Sequence, residues 1–184
     1  MVALRRAAPV AALCAVLAAC GSAGDPAQVP VGPASLTAAN DACGPVELPP
    51  VQGGEHLIGD QPPPVPYNST PPTSGWHSSG AFEIGVFHRD APLSEPQQVS
   101  VLEVGGAVAT YRDLPQADRA ALEGLATGEY AGRLAVTPYD ELEPGQVALT
   151  AWGTLKTCDR LDLGTVAAFV DAYADEAPEV PGAR

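Results

Sequence analysis

Apolar residues run almost unbroken from Ala7 to Ala19, interrupted only by Pro9 and preceded by Arg5 and Arg6. Crossing ~30 Å of hydrocarbon takes ~20 apolar residues, so this run is too short to span a bilayer. A basic stretch followed by a short apolar run predicts an export signal over residues 1–19. Residues 20–42 are mostly Ala, Gly, Pro, Ser and Asn without a period, which predicts a flexible tether. A single folded domain is expected over residues 43–177, followed by a short tail over 178–184. Its first part, residues 43–80, contains Leu48-Pro49-Pro50, the run from Gln61 to Pro66, and Thr70-Pro71-Pro72. Prolines at this density forbid a helix and leave few ladder bonds, so the segment is expected to wrap the domain in turn and polyproline-like conformations.

Periodic structure starts at Ala81. Phe82, Ile84 and Val86 alternate with Glu83, Gly85 and Phe87, predicting a strand. Gln97 to Tyr111 is rich in β-branched residues and is read as a second strand, with Gly105-Gly106 marking a bulge or a close backbone approach. From Asp113 to Ala126 the spacing turns helical, with Pro115 in the first turn, Leu122 and Leu125 inward, and Gly128 beyond the end. Leu134 to Thr137 and Gln146 to Lys156 read as strands, and the turn Glu143-Pro144-Gly145 joins them as an antiparallel hairpin. Asp162 is placed to cap a last helix whose Val166, Phe169, Val170 and Tyr173 share one face. The expected order is β-β-α-β-β-α. That is an α+β fold, a mostly antiparallel sheet with two helices, behind a Pro/Gly-rich wrapping segment.

Composition narrows the setting. Without Arg5 and Arg6, the 9 basic residues fall to 7 against 22 acidic ones, a formal charge of −15. Phosphate backbones demand Lys and Arg, so a nucleic-acid partner is excluded. The folded domain would also be repelled by an anionic membrane surface, which leaves anchoring to lipid. The apolar run closes on Leu17-Ala18-Ala19-Cys20-Gly21, small residues before a cysteine, as in a lipobox. By that resemblance Cys20 is lipidated and becomes the first residue of a mature protein held at the cell membrane, outside the cytoplasm. Cys14 leaves with the signal, so Cys43 and Cys158 remain as an even pair in an oxidising compartment. A disulfide between them is the economical reading. A thiolate metal site lacks any Cys-x-x-Cys spacing.

Three segments resemble the actinobacterial domain of unknown function 3105. Tyr67-Asn68-Ser69-Thr70-Pro71-Pro72-Thr73-Ser74-Gly75-Trp76-His77 is similar to its Tyr-x3-Pro-Pro-Thr-Ser-Gly-Pro-His segment, with Trp76 in place of a proline. Val99 to Val108 is similar to its Val-His-x-Leu-Glu-His-Gly-Gly-Val segment, with Ser100 and Val104 where that pattern has histidines. Ala148 to Gly153 is similar to its Ala-x-Thr-Ala-Trp-Gly strand. The resemblance covers roughly Cys43 to Tyr173. It implies the fold and an extracytoplasmic setting, and the two replaced histidines imply a degenerate member.

No complete catalytic, metal or nucleotide motif is present. His56, His77 and Glu103 are the best polar candidates for a ligand site. His77 follows a stiff Pro-Pro turn that could present a side chain rigidly, or could simply use it to cap the turn. A metal site needs three or four converging ligands, which these three, with His88, could number, though their spacing does not say that they converge. Ser74 near His77 invites a hydrolase reading, but the Gly-x-Ser-x-Gly elbow is missing. If Ser100 and Val104 stand on a strand they are ~13 Å apart and could not share an ion. The expectation is therefore a non-enzymatic envelope domain that binds a partner protein or small ligand, with no cofactor and no tightly held transition metal. The second reading is a metal-binding or metal-dependent redox protein using His56, His77 and Glu103.

Overall fold

The computed structural model describes residues 42–59, 61–80 and 83–178. The expectations for the signal, Cys20, most of the tether and nearly all of the tail lie outside these residues. The elements in chain order are β1 (His56–Leu57), β2 (His77–Ser78), α1 (Glu95–Glu103), β3 (Ala107–Tyr111) and α2 (Gln116–Thr127), then β4 (Leu134–Pro138), β5 (Val147–Ala151), β6 (Thr154–Cys158) and α3 (Leu163–Tyr173). A four-stranded sheet has the order β4-β3-β5-β6, and β1 pairs with β2 in a separate two-stranded unit. Within the larger sheet β3 and β4 are parallel, while the β3–β5 and β5–β6 pairs are antiparallel. The fold is α+β with a mixed sheet.

Every residue of β3, β4 and β5 is buried. One face of the sheet carries Ala109, Leu134, Val136 and Leu149 against Leu122 of α2 and Val166, Phe169 and Val170 of α3. The other face carries Val108 and Ala135 against Val101 and Leu102 of α1, with Trp152 alongside. Strands covered on both faces have no polar side to show, so they read as near-continuous apolar runs rather than alternating ones. Their few hydroxyls are satisfied internally: Thr110 donates to the Ala148 carbonyl, and Thr137 accepts from the Leu93 N–H. Both sheet edges are also covered. Glu47 exchanges bonds with Leu155 along β6, and the Phe87 N–H donates to Val136 along β4. Covering an edge removes a template for unwanted pairing.

Three sequence expectations are corrected. The predicted strand starting at Ala81 is reduced to a single bridge between Val86 and Val136; Ala81 and Phe82 lie outside the described residues. The predicted strand over Gln97–Tyr111 is two elements, the helix α1 and the strand β3. Five consecutive residues of α1, Gln98 to Leu102, are buried, so the helix shows no amphipathic period. The expected hairpin of residues 134–137 with 146–156 does not form. Instead β4 lies parallel to β3, α2 makes the crossover, and the hairpin is β5 with β6 about Trp152-Gly153. Other expectations hold. The Thr165 N–H donates to the Asp162 carboxylate at the start of α3, and Leu122 is fully buried. Cys43 and Cys158 are disulfide-bonded across a separation of 115 residues.

Closing so long a loop is worth about 4–5 kcal/mol in the chain-entropy model. The Cys43→Ser/Cys158→Ser pair should therefore lower the denaturant midpoint sharply. Thiol titration of the exported, unreduced Cys20→Ser chain should find no free thiol. Leu122→Ala, which empties a fully buried position, should cost about 2–5 kcal/mol in the same unfolding measurement.

Candidate functional site

The Pro/Gly-rich segment is locked by its own polar groups. Gln52 donates to the Pro66 carbonyl and accepts from the Asn68 N–H, and Asn68 donates to the Pro50 carbonyl. Ser74, fully buried, accepts from the Gln52 N–H, and the Thr73 carbonyl accepts from Gly153. Tyr67 donates to the Trp76 carbonyl at 2.5 Å. This mesh fixes the backbone from Pro71 to His77. It also takes Ser74 out of consideration as a nucleophile, since its oxygen is spent on the backbone and is closed to solvent. Trp152 packs in the core beneath α1, and Trp76 lies at the turn, so neither offers an open stacking surface.

Glycine brings the second histidine into place. A Cβ on Gly54 would lie 2.2 Å from the Gly75 carbonyl carbon, so only glycine lets this backbone pass so close to the turn. The chain then enters β1, whose His56 pairs in register with His77 of β2. The two imidazoles meet edge to face, with centroids 4.5 Å apart.

The third group comes from α1. Ser94 and Gln97 form a capping box at its start, with Pro96 in the first turn. At its end, Gly105 donates to the Leu102 carbonyl and Gly106 to the Val101 carbonyl, with Gly105 at φ 88°. These two bonds are a Schellman cap. Gly105-Gly106 is thus a helix stop rather than a strand bulge. The expected close approach is present, since a Cβ on Gly106 would lie 2.7 Å from the Val101 side chain. Glu103, the last helical residue, is aimed at β2, and its carboxylate lies 2.8 Å from His77 Nε2.

The structure therefore brings His56, His77 and Glu103 together. One possible ligand atom from each lies within 4.8 Å of the others, while His88 stands apart, facing Glu123 at 3.9 Å. His77 is buried, Glu103 half-buried and His56 exposed. His77 Nδ1 is 2.9 Å from the Gly75 carbonyl, which can only accept, so the bonding network puts the ring proton on Nδ1. Nε2 then presents a lone pair. It lies 2.8 Å from the Glu103 oxygen, an ion pair when the ring carries a second proton. Two electron-rich atoms this close need a cation between them, a second ring proton or a metal ion. The last turn of α1 carries no basic residue, so the negative end of the helix adds to the attraction for one.

Helical geometry also revises the spacing at Ser100 and Val104. With Glu103 they occupy i, i+3 and i+4 of α1, which is one face of a helix rather than points ~13 Å apart on a strand. Ser100 faces β2, donating to the Ser78 carbonyl or to Pro96, and Val104 is half exposed. Neither supplies a ligand here.

A family model described as a protein of unknown function (DUF3105) matches residues 60–184, most of the chain, which therefore belongs to that family. The match begins after His56, so His77 and Glu103 lie inside the matched region and His56 does not. Comparison with curated proteins and with solved structures gave no match.

Two substitutions test how the turn is held. Gly54→Ala should unfold the chain at lower denaturant than Gly53→Ala, because a Cβ at Gly53 meets nothing within 4 Å. Equal midpoints would contradict the close approach of β1 to the turn. His77→Ala removes the bond to Gly75 and should cost about 1–3 kcal/mol by equilibrium unfolding.

Proposed function

We propose that this DUF3105 protein is a lipid-anchored, extracytoplasmic binding domain that holds one transition-metal ion on His56, His77 and Glu103. The observation that carries the reading is the convergence of three ligand-bearing side chains, with the buried His77 Nε2 2.8 Å from the Glu103 carboxylate and its ring fixed by Nδ1–H donation to Gly75. Histidine ligands usually donate their second ring N–H to a carbonyl or carboxylate, which sets the tautomer and the ring orientation.

A ligand set of two imidazoles and one carboxylate is borderline in softness and suits zinc or copper(II) better than calcium or magnesium. Metal–ligand bonds near 2.0–2.2 Å place neighbouring ligand atoms about 3–3.5 Å apart in a tetrahedron. His77 Nε2 and the Glu103 oxygen are already 2.8 Å apart, and the exposed His56 offers its ligand atom within 4.8 Å of the other two residues. Three protein ligands leave a position open to solvent or to a ligand carried by a partner. This account of the three residues replaces the expectation of a metal-free domain, and it is a reading of binding rather than of turnover.

Anchoring rests on the lipobox-like Leu17-Ala18-Ala19-Cys20 and on the acidic charge, which gives the domain itself no affinity for an anionic surface. Acyl chains contribute ~0.8 kcal/mol per buried methylene, so two or three hold firmly. Among the described residues no helix is long and apolar enough to cross a membrane.

Calorimetric titration of chelator-treated protein with zinc and with copper(II) should find one site per chain. His77→Asn and Glu103→Gln should each abolish or greatly weaken it while circular dichroism still reports a folded domain. Metal uptake unchanged in both variants would sink the proposal. Intact mass should show diacylglycerol on Cys20, and Cys20→Ala should appear in the soluble fraction. A Cys20→Ala protein retained in membranes would count against lipid anchoring.

A further inference from the structure

The parallel pair β3 and β4 and the helix α2 between them form a β-α-β unit. The carboxyl ends of these strands, at Tyr111 and Pro138, lie on one side of the sheet. In α/β units ligands favour the crevice outside the carboxyl ends of parallel strands, where the following helix also begins. A cleft of about 540 Å³ lies there, lined by His88, Arg89, Asp90, Tyr111, Asp113, Leu114 and Arg119. That volume falls in the range of small-molecule sites. It shares no residue with the His56–His77–Glu103 group.

The chemistry of this wall is unusual for so acidic a chain. Of the 9 Lys and Arg in the sequence, Arg89 and Arg119 line the cleft and Arg112 stands at its edge, paired with Asp113 at 3.6 Å. Their present partners are weak ones. Arg89 reaches Asp113 at 3.3 Å and Asp140 at 3.1 Å from an exposed position, and Arg119 meets Glu123 at 3.5 Å. Exposed pairs of this kind contribute about 0–1 kcal/mol, so an incoming anion can displace them at little cost.

Tyr111 is the buried member of the wall, 5% exposed, with its ring in the core. Burial raises its pKa above the ordinary value, against the opposing pull of the nearby Arg119 guanidinium. Arginine can only donate and the tyrosine hydroxyl keeps its proton to give, so both residues on this wall offer donors to a ligand. The backbone adds to this. α2 starts at Pro115 with no side-chain cap, leaving first-turn N–H groups beside the cleft.

From this convergence we infer a second site, for a small molecule carrying an oxyanion group, a carboxylate or a phosphate. The oxyanion sits against Arg119 and the Tyr111 hydroxyl, and the rest of the molecule runs toward Arg89. Asp90, on the same wall, is an acceptor for a hydroxyl or amine of the ligand.

Two probes distinguish the sources of the oxyanion, inorganic phosphate and succinate. Each is titrated into the full chain, purified in detergent, with backbone amide resonances as the readout. Shifts confined to residues 88–90 and 111–119 with either probe support the site, and the stronger probe identifies the group. Arg119→Gln should weaken that binding about tenfold or more, the loss of one charge-assisted contact. Tyr111→Phe, which keeps the ring in the core, should weaken it by a smaller factor. No localised shift with either probe would overturn the inference, as would unchanged binding in Arg119→Gln.

Discussion

Between Val101 and Ala107 the chain passes from a buried helix to the start of a buried central strand, and much of the molecule hangs on that passage. The left-handed Gly105 and the tightly packed Gly106 close the helix with two backbone bonds. Ala107 then begins β3, which pairs with β4 on one side and β5 on the other. The same stop fixes Glu103 as the last residue of α1, where its carboxylate meets His77. A side chain at Gly106 would strike Val101. Sheet formation and site geometry therefore depend on one backbone feature.

The other half of the site is held by a different means. No helix or long strand carries His56 and His77; each lies in a two-residue strand. Their rigidity comes from side-chain bonds to backbone, among them Ser74 with Gln52, Tyr67 with Trp76, and Asn68 with Pro50. Proline limits the backbone freedom lost on folding, and the buried polar groups find partners inside the segment. The disulfide from Cys43 to the end of β6 ties the entrance of this wrap to the sheet.

Much of this was legible in the sequence, and the failures have physical causes. The helices α2 and α3 show a clear apolar face because one side of each meets solvent. The helix α1 shows none, because it is sandwiched between sheet and wrap and uses Val99 and Val101 at buried positions. Its signal was the Ser94-x-x-Gln97 box with Pro96, which outweighs β-branched content at a helix start. The missed parallel pairing has a similar origin. The turn Glu143-Pro144-Gly145 is real, with Gly145 donating to the Arg112 carbonyl, but it leads into β5 beside β3 rather than back along β4. His56, His77 and Glu103 were identifiable as reactive types, while their convergence was not. It depends on Gly54 passing Gly75 at van der Waals limits, and no spacing rule encodes that approach.

The central claim is that one ion sits among His56, His77 and Glu103, with the His77 ring oriented by Gly75. X-ray absorption at the metal edge of zinc-loaded full-length protein tests this most directly, because it reports the ligand atoms themselves. The account predicts a light-atom shell near 2.0–2.1 Å with outer-shell scattering from two imidazoles and no sulfur. It also predicts that Glu103→Gln changes the oxygen part of that shell and leaves the imidazole pattern. A shell containing sulfur, or a spectrum with no imidazole scattering, would contradict the account.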